Sequence, residues 1–444
     1  MTATPVPSPR GREHLRVLSA AGEDLHGAVR DLHARYGDAF TFGFGPIRFA
    51  WFVGRDAART VLLEEADAFS QRGGYDFLRP VGGATALIHS DEPEHKPRRR
   101  AVQPAFHGRE VGAWLARGEA ELGPWFERVA RRGETVDLYR DLRPRLVRVI
   151  AGIVLGDAPL ARDDAWLRDV NALMDFPGRP MLEQQWKVPL PGTPWARFVA
   201  ARRRVDAALH AELARREAAF DVAAPRDGVS GGALDLLMAQ RDTEGRPALS
   251  RQELRDQSLS LISAGFDTTS AALAWAVQLA FEHPDAGRDL RHALHDVSPA
   301  DAQGVPALDR YLKEVLRVRP PAAAVLRRTT RPVRIAGTDV PAGRRVALSV
   351  LLTHRDPRLY DAPDAFRPDR FAGAPPDPFG YLPFGYGARY CIGAGTSTAL
   401  VKAGLALLFG RYDVEPVDPR PRRPVGMTLQ PEGGLPVRLR PRRD

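Results

Sequence analysis

One cysteine occurs in the chain, Cys391, and it stands in the segment Phe384-Gly385-Tyr386-Gly387-Ala388-Arg389-Tyr390-Cys391-Ile392-Gly393. Two glycines ahead of the sulfur permit a tight turn, and a third lies two residues after it. Arg389, two residues upstream, can meet an anion. The Ala/Leu-rich run 399–408 is helical in character. A helix that starts soon after Gly393 places the sulfur just before its N-terminus, where backbone N–H groups and the dipole favour negative charge. A thiolate held in this way suits axial ligation of haem iron. A lone cysteine out of context is more commonly a small buried hydrophobe, so the surrounding residues decide between the two readings.

Three further constellations carry chemistry. Glu314 and Arg317 lie three residues apart on a helical stretch, so carboxylate and guanidinium share a face. Taken alone they read as a solvated ion pair of small worth, but Arg370, in Phe366-Arg367-Pro368-Asp369-Arg370-Phe371, offers a third partner. Ala264-Gly265-Phe266-Asp267-Thr268-Thr269 puts a glycine and two threonines inside a helix, which is locally unfavourable. That segment is either a notch where helices cross or a flat face beside a cofactor, with an acid and a hydroxyl to relay protons to bound dioxygen. Asp91-Glu92-Pro93-Glu94-His95-Lys96-Pro97-Arg98-Arg99-Arg100 reads as a basic, solvated helix start.

The segment around Cys391 fits Phe-Gly-x-Gly-x-Arg-x-Cys-x-Gly at every fixed position and so resembles the haem-binding loop of the cytochrome P450 superfamily. The resemblance implies haem b (iron protoporphyrin IX) with Cys391 as its metal ligand and Phe384, Gly385 and Gly393 in the loop against it. Ala-Gly-x-Asp-Thr resembles the family's oxygen-activating motif. It implies that Ala264 and Gly265 let the helix approach the cofactor, that Thr268 serves bound dioxygen and that Asp267 feeds the proton relay. Glu-x-x-Arg and Pro-x-Arg-Phe imply a buried structural triad of Glu314, Arg317 and Arg370 behind the haem loop. His95, Arg99, Arg327 and Arg389 look like partners of the haem propionates, a task for which the arginine fork is suited. Lys96, Arg98 and Arg100 then face an electron-donor protein. Departures from the family pattern are Pro97, Thr396-Ser397-Thr398 after the cysteine, and Thr330-Arg331-Pro332 in place of an acidic turn.

The elements that must position these residues follow from periodicity. Residues 38–53 alternate and turn at Gly45-Pro46, a β-hairpin. Helical periodicity runs from Val111 to Phe220, broken by prolines between 177 and 194. A linker-like Gly/Pro-containing stretch covers 223–232. Ser250-Arg251-Gln252-Glu253 is a capping box opening a long central helix that Pro284 stops near His283. A helix spans 308–318, short strands cover 333–337 and 345–350, and the tail beyond Pro416 is irregular with short strands. The expected fold class is mainly α with small β-sheets (α+β), a cytochrome P450 fold with the haem between the long central helix and the Cys-ligand loop and helix. The chain is expected to be a single domain over 1–444, with 1–15 flexible.

The 444 residues carry 64 Lys+Arg against 55 Asp+Glu, a net charge of +9, so an acidic partner protein fits better than nucleic acid, for which no recognition module is present. One cysteine excludes an intrachain disulfide and fits a cytoplasmic setting. No apolar stretch has the length of a signal peptide or a membrane span. No flavin or dinucleotide fingerprint accompanies the motifs. The resemblance therefore implies a monomer that receives electrons from NAD(P)H through an external ferredoxin- or flavodoxin-type donor. It further implies a monooxygenase that uses O2 on an apolar small molecule of terpenoid, polyketide or fatty-acyl type, in secondary metabolism. The substrate pocket expected from it takes Phe77, Leu78, Leu87, Ile88, Phe176, Ala323, Val325, Met427 and Thr428, with Arg79 and His89 as polar anchors. Peroxygenation or oxidative coupling on the same site, and a non-catalytic haem-binding sensor, are the alternatives, and the intact acid–alcohol pair weighs against both.

Overall fold

The structure, a computed structural model, describes residues 6–106, 110–179, 183–219 and 231–442. The helices are α1 Gly11–Glu23, α2 Leu25–Tyr36, α3 Arg55–Arg59, α4 Arg79–Gly82, α5 His95–Val102, α6 Glu110–Arg132, α7 Leu138–Leu155, α8 Asp164–Leu173, α9 Pro194–Ala219, α10 Gly232–Ala239, α11 Arg251–Glu282, α12 Pro284–Ala293, α13 Pro306–Val318, α14 Val350–Thr353 and α15 Ala394–Arg411. The strands are β1 Ala39–Phe42, β2 Phe49–Phe52, β3 Phe69–Ser70, β4 Thr135–Asp137, β5 Ala324–Thr329, β6 Val333–Ile335, β7 Thr338–Val340, β8 Arg345–Ser349, β9 Tyr412–Pro416, β10 Pro424–Val425, β11 Gln430–Pro431 and β12 Pro436–Pro441. The chain is thus mainly helical with small sheets, as its patterning predicts.

The central helix α11 has the start and stop read from sequence. Ser250 N donates to Glu253 Oε2 (2.9 Å) while Glu253 N donates to Ser250 Oγ (3.3 Å), and Pro284 opens the next helix after His283. From Leu259 to Ala280 almost every α11 side chain is buried. It packs on α7 and α15, and two hydrogen bonds fix its far half: Trp275 Nε1 to Leu429 O (2.8 Å) and Tyr311 OH to Ala276 O (2.7 Å). α15, which follows the cysteine, crosses it at Gly404, where a Cβ would lie 2.9 Å from a methyl of Leu273. The crossing is as close as the backbone allows, and it sets the distance between the cysteine loop and the central helix.

The main sheet has the order β1-β2-β8-β5-β3. The 38–53 hairpin supplies β1 and β2, and β8 joins β2 in parallel (Phe49 opposite Arg345). The 333–337 strand closes a separate hairpin with β7 through Ala336 (φ +43°) and Gly337 (φ +82°), a turn that needs two left-handed residues. Several expectations differ from the structure. Helical periodicity from 111 to 220 is interrupted by β4, whose Val136 pairs with Val437 of β12. β5, with its two adjacent arginines, is a strand that alternation does not reveal. α1 begins at Gly11, inside the segment expected to be flexible, and Pro7 O accepts from Thr41 N (2.6 Å). Most of the linker-like stretch 223–232 lies outside the described residues.

Substituting Gly404→Val should force α15 away from Leu273 and cost about 1–3 kcal/mol as overpacking. Denaturant unfolding of the variant checks this, and an unchanged midpoint would show that the crossing has slack.

Candidate active site

The cysteine loop is built from two left-handed glycines and one cross-loop bond. Gly385 and Gly387 have φ +71° and +69°, and a Cβ on Gly387 would lie 2.9 Å from Leu62 O. Cys391 N donates to Phe384 O (2.9 Å), closing the loop, and α15 starts three residues after the sulfur. Cys391 is solvent-accessible yet surrounded by protein on most sides, so it lines an interior cleft and not the outer surface. Burial pushes its thiol up, against the Gly393 N–H and the Arg99 charge that draw it down. Burial thus opposes the negative sulfur that the start of α15 favours, and a bound metal ion would favour the thiolate. Among the described residues no group of three or more His, Cys, Asp or Glu is placed to hold a metal ion.

Behind the loop lies the triad. Arg317 and Glu314 are both 0% exposed and paired twice, Nε to Oε2 (2.7 Å) and Nη2 to Oε1 (2.8 Å), and Arg370 Nε reaches the same carboxylate at 3.1 Å. The link from triad to loop is His354, which sequence reading missed and which no local signal marks. Its ring is fully buried. Nδ1 donates to Arg317 O (3.0 Å), Nε2 accepts from Leu382 N (2.7 Å), and the ring stacks on Tyr381 at 5.5 Å. Leu382 O in turn accepts from Gly385 N (3.1 Å).

On α11, Ala264 is exposed and Thr268 half-exposed one turn later, while Ile262, Ser263, Phe266 and Asp267 are buried. One stripe of a buried helix thus lines the cleft. Thr268 Oγ1 donates to Ala264 O (2.8 Å) and keeps its lone pairs for the cleft. Asp267 turns the other way. Its Oδ1 accepts from Tyr139 OH (3.3 Å) and pairs with Arg143 Nε (3.1 Å), and Arg143 also meets Asp175 (3.5 Å). Neighbouring helix positions do not share a face, so acid and alcohol diverge instead of forming the direct relay that adjacency suggested. Gly265 also faces α7: a Cβ there would lie 3.0 Å from Ile150 Cγ2. It is a crossing notch and not, as expected, part of a cofactor-facing surface. Ser397, a departure from the family pattern, bonds Thr269 (3.0 Å) and ties the first turn of α15 to α11 beside Thr268.

Arg99 of α5, Arg327 of β5 and Arg389 of the loop converge with His95. Among the described residues Arg99 and Arg327 have no carboxylate within ion-pair distance, and Arg389 reaches Asp91 only at 3.9 Å. Burial, then the charge of Arg327, pushes Arg389 down to about 10, burial lowers Arg99 and Arg327, and burial with the Arg389 charge lowers His95 to about 4. Desolvated guanidinium groups crowded together call for anions. A cofactor with two carboxylates fits this set, and Gly393, where a Cβ would meet nothing within 4 Å, leaves the approach open. Arg98 does not face outward as expected. It pairs with Glu253 (2.9 Å) and donates to Ser90 Oγ (2.9 Å), while Lys96 and Arg100 are exposed.

Of the expected substrate contacts, Phe77, Leu78, Leu87, Ile88, Val325, Met427 and Thr428 are half-buried and Ala323 buried. A bridge between Ala322 and Thr428 brings the 322–325 and 427–428 segments together. Phe176 is instead buried in a ring cluster with Trp195 (5.0 Å) and Phe198 (5.5 Å). His89 is 1% exposed and bonds Tyr75 O (3.0 Å), so it supports its loop and is not an anchor, and Arg79 is exposed.

A family model for Cytochrome P450 matches residues 7–436. Cytochrome P450 139 of Mycobacterium bovis is 31% identical over 429 residues, covering 93% of this chain and 97% of that protein. Cytochrome P450 135B1 of Mycobacterium tuberculosis is 30% identical over 423 residues, covering 92% and 86%. Among solved structures, the retinoic acid-bound cyanobacterial CYP120A1 superposes with a TM-score of 0.85 at 24% identity over 99% of this chain and 100% of that one. The cytochrome P450DA heme domain gives 0.83 at 22% identity over 100% and 98%. These two establish the fold.

Burial lowers His354 to about 3. Its unfolded value is near 6.5, so the unfolded chain binds the proton first. The stability it confers is complete above pH 6.5 and falls as pH drops toward 3, by about 1.4 kcal/mol per pH unit. Unfolding at pH 7 and pH 5 should show that slope, and His354→Gln should be less stable at pH 7 but flatter by about 2 kcal/mol over the interval. An equal slope in both proteins would remove His354 as its source.

Proposed function

The chain belongs to the cytochrome P450 family, a family of haem-thiolate monooxygenases, and on that premise we propose that it inserts one oxygen atom of O2 into an apolar small molecule, with Cys391 as the iron ligand. The observation that supports this is the group of desolvated arginines beside Cys391, with the Arg99 charge acting on its sulfur and, among the described residues, no carboxylate within ion-pair distance of Arg99 or Arg327. When bound, the haem supplies the redox and oxygen-activating chemistry, with the thiolate donating charge to iron.

The residues have distinct tasks. Arg99, Arg327 and Arg389, with His95, would hold the haem propionates by charge-assisted bonds. Glu314, Arg317 and Arg370 fix the loop. Thr268, its proton engaged by Ala264 O, offers lone pairs at the reacting face. Asp267, held by Tyr139 and Arg143, is the carboxylate through which protons arrive from the Asp175 side of the molecule. Because it diverges from Thr268, it serves that hydroxyl by rotating or through an intermediary. Half-buried apolar side chains at Leu87, Ile88, Val325 and Met427 support an apolar substrate of terpenoid, polyketide or fatty-acyl type, consistent with secondary metabolism. Exposed Lys96 and Arg100 support docking of an acidic ferredoxin- or flavodoxin-type protein that passes electrons from NAD(P)H. No helix among the described residues is long and apolar enough to cross a membrane, and the reading places the enzyme in the cytoplasm as a monomer.

The reduced, carbon monoxide-treated protein should show the long-wavelength Soret band of thiolate ligation, and Cys391→Ser should abolish it; a band that survives the substitution removes the assignment. With a substrate identified by spectral titration of a compound library, Thr268→Ala should lower product formation by about a hundredfold while electron consumption continues. Undiminished turnover would favour peroxide-driven chemistry on the same site.

A further inference from the structure

Residues 83–90 run between α4 and α5 and cross the first turns of α11. The segment pairs with no strand, yet its backbone is held as if it did. Gln257, 0% exposed, donates Nε2 to Thr85 O (2.8 Å) and accepts from Leu87 N at Oε1 (3.0 Å). Asp256, also 0% exposed, accepts from Thr85 N (2.9 Å) and Thr85 Oγ1 (2.7 Å) on Oδ2, and from Arg255 (2.7 Å) and Gln252 (2.8 Å) on Oδ1. Gly83 (φ +93°) lies under this carboxylate, where a Cβ would stand 2.1 Å from Asp256 Cγ. Only glycine fits, so the segment is seated on Asp256 at one point and threaded along Gln257 at the next.

The network extends outward. Arg255, 1% exposed, bonds Asp206 of α9 (Nε, 3.0 Å); Asp206 pairs with Arg202 (2.8 Å), and Arg202 donates to Val81 O (2.8 Å). At the other end of the segment, Ser90 O accepts from Arg389 Nη1 (2.6 Å). Helix capping does not explain Asp256, because Ser250 and Glu253 already fill the N-terminus of α11. Proton delivery does not explain it either, since Thr268 is twelve residues away, about 18 Å along the helix.

We propose that Asp256 and Gln257 are positioning residues for substrate. They lock the 83–88 backbone in one register and so fix where Leu87 and Ile88 stand over the cleft. The inference rests on the reading of Leu87 and Ile88 as substrate contacts. A wall held in this way needs no ordering when ligand binds, so its release weakens bulky ligands while sparing those that contact only the iron.

The test uses the haem-loaded enzyme and two nitrogen ligands, imidazole and 4-phenylimidazole, titrated optically. Gln257→Leu and Thr85→Val each remove bonds to the segment, and Thr85→Val leaves the Arg255–Asp256 pair intact should Gln257→Leu fold poorly. In either variant the Kd of 4-phenylimidazole should rise about tenfold while that of imidazole stays within about twofold, and Thr85→Ser should restore wild-type binding. Hydrogen exchange at the Leu87 amide should accelerate in Gln257→Leu with or without ligand. Leu87→Ala and Ile88→Ala separate the two levels of inference. If they change 4-phenylimidazole binding and Gln257→Leu and Thr85→Val do not, the positioning role is wrong. If neither alanine variant changes it, the substrate-contact reading is wrong and the positioning role falls with it.

Discussion

The sulfur of Cys391 is held in place by an ion pair it never touches. Arg317 has five N–H groups, and each has an acceptor: Glu314 takes Nε and one Nη2 proton, His354 O and Pro363 O take those on Nη1, and Ala365 O takes the last. A guanidinium this deep would cost several kcal/mol with one partner missing. Fully bonded, it draws α13, the turn after α14 and the 361–371 segment onto one point. Lysine could not do this, having three donors and no planar fork. His354 then carries the geometry from Arg317 O to Leu382 N, and two short backbone bonds carry it on to Cys391. The rigidity of the ligand loop is therefore set at a distance from the sulfur, in a cluster with no chemistry of its own.

The central helix solves a different problem with the same economy. It must be buried on nearly all sides to stay straight, yet must open one stripe to the cleft. Small residues at 264 and 265 do both jobs on different faces, Ala264 toward the cleft and Gly265 against Ile150. The 100° step between successive residues then sends Asp267 to α7 when Thr268 faces the cleft. An ionised carboxylate in that packed layer needs a cation, and Arg143 supplies it. Acid and alcohol are adjacent in sequence because one helix turn can serve two compartments, and their separation is what connects the cleft to the solvent-facing Asp175.

These two clusters show what could be read from the chain alone. The cysteine-loop turn, the shared helix face of Glu314 and Arg317, the capping box at Ser250 and the 38–53 hairpin are local: each is fixed by residues within a few positions of one another and each is present in the structure, although the spacing alone reads Glu314–Arg317 as a solvated pair and the structure buries it. What was not legible depends on contacts across the chain. Tyr139 and Arg143 lie more than a hundred residues from Asp267, and His354 bonds two segments on either side of it. Arg98, expected to face an electron-donor protein, pairs instead with Glu253, a partner on another helix that local sequence does not show. The family resemblance sets Gly265 on the cofactor face, whereas a glycine inside a helix shows only that the helix is thin there and not which neighbour uses the gap. β5 was missed because its two arginines disguise an alternation that only the sheet reveals.

The charges of the cleft make one further step possible. Among the described residues the chain gathers three partly or fully buried guanidiniums, two of them with no carboxylate within ion-pair distance. A few residues away it holds a thiol whose pKa burial raises. Each arrangement is unfavourable in isolation, and each relieves the other only in part, since the attraction between Arg99 and Cys391 acts against a larger opposing effect of burial. A haem would answer both: Cys391 would ligate its iron as the thiolate, and Arg99, Arg327 and Arg389 would hold its carboxylates. The cost of each cluster becomes selectivity for a ligand that carries both charges at the right separation, which a free anion or a free metal ion does not.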